Sequence, residues 1–396
     1  MSDFDESDDR TNDLEIVDET QDIEIVDETN LADNDDESEE ELSDDEESEA
    51  EMEDVVDEAT VVFGSHDKPV LCCALNGDST LAASGGQDDK AFVFSPSGQV
   101  MFQCDGHKDS VIAIEFSAKS KYLATGDMSG YVQIWEVAST NNKIFEHDFG
   151  EDLLWLHWHP IVEDIFLAGT NSGITWMLKI KGGQCKMYQG TGMASVVGCI
   201  FRNGQRAVVG YDDGYVKSWD LKNTNSTFSL KAHSETITTM DINNDDTLVL
   251  TGSVDGTSHL INLTHGKEIC IFNCANERES EESDSVESVC FAENFPLVAT
   301  GTAIGFVEIW DIPSQTRRNM CASDFGVSKL LFDKKNNHLL YAAGLNGVVN
   351  MYDIRSGKLE LSKTGHINQI LDFSISHDSS FLLTASEDCT CRIFNM

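Results

Sequence analysis

One pattern limits this chain more than any other feature, because it returns eight times. Each copy is a small or apolar run, a glycine, a short polar turn, and an alternating strand that closes on tryptophan or a substitute. The copies read SGGQDDKAFVF, TGDMSGYVQIW, AGTNSGITWML, VGYDDGYVKSW, TGSVDGTSHLI, TGTAIGFVEIW, AGLNGVVNMY and TASEDCTCRIF. They close on Phe94, Trp135, Leu178, Trp219, Ile261, Trp310, Tyr352 and Phe394, at spacings of 41, 43, 41, 42, 49, 42 and 42 residues. A unit of that length cannot bury its apolar face alone, so the copies must stack on one another. Four strands repeating at about 42 residues is the blade of a WD-type propeller. The sequence predicts an all-β fold, an eight-bladed WD-repeat β-propeller over residues 59–396.

Smaller marks agree. Gly106-His107 and Gly365-His366 precede inner strands, and His66 and His233 take the same place after serine and alanine. Six residues before the closing position stand Asp88, Asp213, Asp255 and Asp388; Ser129, Ser172, Ile304 and Asn346 replace them in the other blades. In this architecture the aspartate pairs with the histidine of its blade. His66, His107, His233, His366, Asp88, Asp213, Asp255 and Asp388 are therefore read as blade-fixing, not catalytic.

Two topological expectations follow. The last copy ends on its third strand, and residues 60–63 have the length and pattern to supply the fourth, which would remove an open edge. An outer strand runs from the bottom face to the top, so the segment preceding residue 60 should leave at the bottom rim. The irregular spacing of 49 places about seven extra residues in 276–288, on a top loop. That insertion is either a tolerated surface loop or an acidic addition to the binding face.

Charge divides the chain in two. Residues 1–58 hold 30 acidic residues against the single base Arg10, a net of −29; the other 41 acidic and 25 basic residues leave −16 for residues 59–396. The first segment is too charged to bury a core and is expected to be a disordered acidic tail. A coil of that length spans roughly 5–6 Å × √58, about 40 Å, and reaches either face. Its internal repeat, LEIVDET and IEIVDET, is either a short docking strand or low-complexity drift. Ser38, Ser43 and Ser48 each have glutamate three residues downstream, a pattern acidophilic kinases use, and phosphorylation would deepen the charge.

The composition argues against direct contact with nucleic acid or an acidic membrane. No apolar run approaches a membrane span and no signal peptide is visible. Eleven scattered cysteines without a CxxC pair fit a reduced compartment, cytosol or nucleus, with a zinc site as the sharper alternative. Neither GxxxxGK[ST] nor GxSxG occurs. His157-Trp158-His159 invites a metal, but alternation places two ligands on one side and no third is in view, so packing is the plainer reading. No cofactor and no catalytic residue is expected; the chain reads as a non-enzymatic, monomeric binding protein.

What remains is an acidic top face. Asp89, Asp127, Asp212 and Glu387 lie in turns between second and third strands. Asp109, Glu151, Asp152, Glu235, Glu281, Glu282, Asp284 and Glu287 lie in loops entering inner strands. Together they would steer a basic partner, with strong salt dependence.

The runs SGGQDDKAFVF, GHKDSV, LATGDMSG, WLHWHP, AVVGYDDG, LTGSVDG, SVESVCF and GHINQILDFSIS resemble the angio-associated migratory cell protein family from about residue 65 onward. The tail is similar in charge but not in letters. The resemblance implies a dedicated chaperone of a basic large-subunit ribosomal protein, as in the fungal relative, which holds its client's basic N-terminal segment on the acidic top face. It also implies the roles in cell migration and receptor signalling associated with animal members. A cytosolic signalling scaffold and a ubiquitin-ligase substrate adaptor are the rival readings of the same propeller.

Overall fold

The computed structural model describes residues 56–396 apart from 140–141, 275–283 and 324. The tail up to residue 55 and the insertion residues Glu281 and Glu282 lie outside the described residues. The rest forms eight four-stranded antiparallel sheets. In seven blades the strands follow in chain order. The eighth joins the last three strands of the chain to Val61–Phe63, with Val61 opposite Ile393 and Phe63 opposite Cys391.

The second strand of each blade is squeezed between neighbouring blades and buries both faces. Tyr122–Asp127 is buried at every position, whereas the outer strand Lys143–Asp148 is mostly exposed. The core is therefore not one body but eight apolar slabs, one at each blade interface. Each slab holds one of the eight closing residues, from Phe94 between blades eight and one to Trp310 between blades five and six. This is why the sequence repeats a large apolar residue there: each blade contributes one plug to its neighbour.

Every inner strand carries a β-bulge at the same place, after its first residue, as between Val70 and Cys72 or Val286 and Ser288. A bulge re-aims the extra side chain. Here Leu71, Ile112, Leu154, Glu287 and Leu371 line the central channel, and Ser328 Oγ donates sideways to the Ile370 carbonyl of the next blade at 2.6 Å.

The exit of the N-terminal segment differs from expectation. Below Val61 the chain does not continue toward the bottom rim. It folds back to Thr364, which follows the outer strand Lys358–Lys363 and opens the top loop entering blade eight. The Glu58 N–H donates to the Thr364 carbonyl at 3.0 Å and Thr364 Oγ1 donates to the Val56 carbonyl at 2.8 Å. Arg392, largely buried in the last blade, draws the segment in by donating from Nε to Asp57 at 3.2 Å. Residues 56–58 thus lie beside a top loop.

Candidate functional site: the top face and its clasps

Four blades carry the same clasp. His66, His107, His233 and His366 are buried in the loops that enter blades one, two, five and eight. Their Nδ1 atoms face Asp88 at 2.9 Å, Asp127 at 3.1 Å, Asp255 at 3.1 Å and Asp388 at 2.8 Å. Their Nε2 atoms face Ser84, Thr125, Thr251 and Thr384 at 2.7–2.9 Å. The same carboxylates accept the backbone N–H after the histidine, as in Lys108 to Asp127 at 3.0 Å. One side chain thereby ties an entering loop to the turn beside it.

Asp127 was expected among the partner-binding carboxylates, and the structure moves it into the clasp. It is fully buried at the end of a second strand, in register with Gly86 of blade one. A Cβ at Gly86 would press within 2.6 Å of both His66 and Asp88. In blade one the glycine leaves room for a carboxylate from the turn; in blade two the carboxylate grows from that position itself. Asp213 is the converse. No histidine enters blade four, and Asp213 only accepts the Tyr215 N–H of its own turn at 3.4 Å. In blade eight Arg392 joins the clasp, donating to Asp388 at 2.7 Å.

Burial sets the charge state of these clasps. It pulls His66 and His366 below the usual imidazole range despite their aspartates. Burial and the adjacent His259 bring His233 down to about 4. Burial alone would raise Asp388, but His366, Thr390 and Arg392 hold it well below the ordinary carboxylate range. The clasps are structural, and their chemistry is closed on itself.

The remaining acidic candidates sort by exposure. Asp89, Asp152, Glu235, Glu287 and Glu387 stand exposed, Glu287 at a channel-facing bulge. Asp109, Glu151 and Asp212 are half-buried and tied within the loops, accepting from the Ser110 N–H at 2.7 Å, Thr170 Oγ1 at 2.8 Å and Thr236 Oγ1 at 2.6 Å. Asp284 is buried, so it does not belong to the exposed surface. Two top lysines are neutralised locally, Lys90 by Asp67 at 2.6 Å and Lys108 by Asp148 at 2.9 Å. The five exposed carboxylates therefore meet solvent from a rigid frame.

The two histidines of the WLHWHP run serve different neighbours, because the inner strand Leu153–Trp158 ends before His159. His157 faces Glu115 at 3.1 Å in the channel. His159 accepts the N–H groups of Ile161 and Val162 at Nδ1 and donates from Nε2 to the Gly204 carbonyl at 2.9 Å. Among the described residues no group of three or more histidine, cysteine or acidic side chains is placed to hold a metal.

Sequence reasoning missed one set entirely. Inner-strand side chains reach sideways to the next blade's backbone: Asp372 to the Cys73 N–H at 2.8 Å, Asp241 to Phe291 at 2.8 Å, and Ser288 Oγ to Leu330 at 2.8 Å. Lys329 closes on Asp372 at 2.5 Å across the channel wall. Nothing in a linear pattern signals a bond to a strand 42, 50 or 299 residues away.

Ring, closure and clasps define the class: an eight-bladed WD-repeat β-propeller. The WD domain, G-beta repeat model matches residues 58–95 and 98–136, and the Nucleolar protein 10-like, N-terminal domain model matches 226–396. The human angio-associated migratory cell protein is 39% identical over 351 residues, which cover 85% of this chain and 80% of that protein. The chain belongs to the angio-associated migratory cell protein family. The Saccharomyces cerevisiae ribosome assembly protein SQT1 is 25% identical over 80% of this chain and 79% of its own. Among solved structures, Chaetomium thermophilum Sqt1 bound to the N-terminus of ribosomal protein L10 superposes with a TM-score of 0.79 at 20% identity, covering 86% of this chain and all of that one.

Proposed function

We propose that this chain is a non-enzymatic escort of a basic ribosomal protein, a large-subunit protein of the L10 kind, during ribosome assembly in the cytoplasm. The observation that carries the reading is the set of exposed carboxylates Asp89, Asp152, Glu235, Glu287 and Glu387 on a top face where Lys90 and Lys108 are paired with Asp67 and Asp148. The relative named as a ribosome assembly protein, and the solved Sqt1 with an L10 N-terminus bound, support it. A newly made ribosomal protein is basic and binds nucleic acid indiscriminately. The carboxylate ring and the acidic tail stand in for RNA phosphate until delivery. Exposed ion pairs contribute about 0–1 kcal/mol each, so the ring acts chiefly by steering and by excluding wrong partners.

Co-expression tests this directly. The full chain is expected to keep ribosomal protein L10 soluble. Glu235→Lys combined with Glu387→Lys is expected to abolish that while the propeller stays folded. Equal L10 solubility with the double variant, or with no chain at all, would refute the reading.

A further inference from the structure

A second kind of surface runs across the tops of blades six, seven and eight. Ile304, Phe325, Leu345 and Ile367 are 46%, 50%, 36% and 73% exposed. They sit alternately in turns and in entering loops, and backbone contacts make them neighbours. The turn at Gly305 lies against the carbonyls of Ser323 and Phe325. Gly326 packs on Ala303 and on the Leu345 side chain, and the Leu345 N–H donates to the Gly326 carbonyl at 2.8 Å. Gly347 packs on the carbonyls of His366 and Asn368, which flank Ile367.

Single exposed apolar residues are ordinary, but a contiguous strip of large ones is not. Among the described residues, the loops that build it (302–305, 323–326, 345–348, 364–369 and 387–390) contain no lysine or arginine. Its border carries the carboxylates of Glu387 in the turn of blade eight and Glu58 where the N-terminal segment binds Thr364, with Asp57 beside them paired to Arg392. That charge selects a cationic occupant, and the strip selects one with bulky apolar side chains as well.

We infer that the strip of Ile304, Phe325, Leu345 and Ile367 is the apolar half of the client surface, taking large apolar side chains that stand between the basic residues of an extended peptide. The inference rests on the proposed escort function and explains what solvent-screened ion pairs cannot supply. Affinity at a protein surface comes mainly from a few desolvated anchors, with the charged rim setting specificity and on-rate.

The test uses the full chain and a synthetic peptide of the ribosomal protein L10 N-terminus, titrated at physiological and at several-fold higher salt. Phe325→Ser with Ile367→Ser is expected to weaken binding about tenfold or more at both salts, and to make the heat-capacity change less negative. Ile304→Ser provides an independent single variant should the double one misfold. Glu235→Gln with Glu387→Gln is expected to weaken binding at physiological salt and to matter little at high salt. Unchanged binding by the apolar variants, with the carboxylate variant weakened, would overturn the strip and leave the escort reading standing. Absence of binding by the intact chain would overturn both. A chain that sediments as a dimer, and as a monomer after Phe325→Ser with Ile367→Ser, would reassign the strip to a second copy and overturn the inference.

Discussion

At the scale of single residues, the buried histidines make this propeller acid-sensitive. The folded-state pKa values of His66, His233 and His366 lie below the unfolded imidazole value. Protons then favour the unfolded chain, so stability falls as pH drops from about 6.5 through the lowered folded values. For His233, held at about 4, the full loss is on the order of 3 kcal/mol. Asp241 works the other way. Burial raises it to about 6, so its contribution is present below about 4 and is lost as pH rises through 6. Asp241→Asn is therefore expected to raise the melting temperature at pH 7.5 and to leave it almost unchanged at pH 4.5. A thermal melt series checks this; a larger gain at pH 4.5 would contradict it. Residue-level roles were only partly legible in sequence. A carboxylate six residues before the closing position found Asp88, Asp255 and Asp388. It overlooked Asp127, because the clasp needs a carboxylate near the imidazole and not at a fixed offset.

At the scale of elements, the closing strand Val61–Phe63 is the most consequential piece of the fold. Phe63 is buried and stacks on Phe94 at a ring separation of 3.9 Å, so the first described strand plugs the interface of the last blade with the first. Phe63→Ala is expected to cost about 3–5 kcal/mol, read as a drop in denaturation midpoint. Removing residues 1–55 is expected to leave that midpoint unchanged, since Val56, Asp57 and Glu58 keep their contacts with Thr364 and Arg392. A Phe63→Ala midpoint equal to the parent would show that the ring does not depend on this strand. The closing strand could be read from sequence because its length and apolar alternation matched a missing outer strand. The turn back to the top face could not, because it depends on Arg392, whose second carboxylate partner, Asp57, lies at the other end of the chain.

At the scale of the whole molecule, the fold was the most legible level and the binding surface the least. An eightfold period with a large apolar closing residue leaves a propeller as the one economical way to stack the copies. A surface is assembled from loops of different blades, so its apolar strip is invisible along the chain: Phe325 and Ile367 are separated by a whole blade yet share one face. The same separation hid which carboxylates are buried, as with Asp284, and which are open, as with Glu387. What emerges is a ring with internally satisfied clasps, carrying exposed carboxylates on its top face, where residues 56–58 are also held. The most direct test of this account is calorimetric titration of the full chain with the N-terminal segment of ribosomal protein L10 at low and at physiological salt. The account predicts one-to-one binding that is tight at low salt and weakened but retained at physiological salt. No heat at either salt would contradict it.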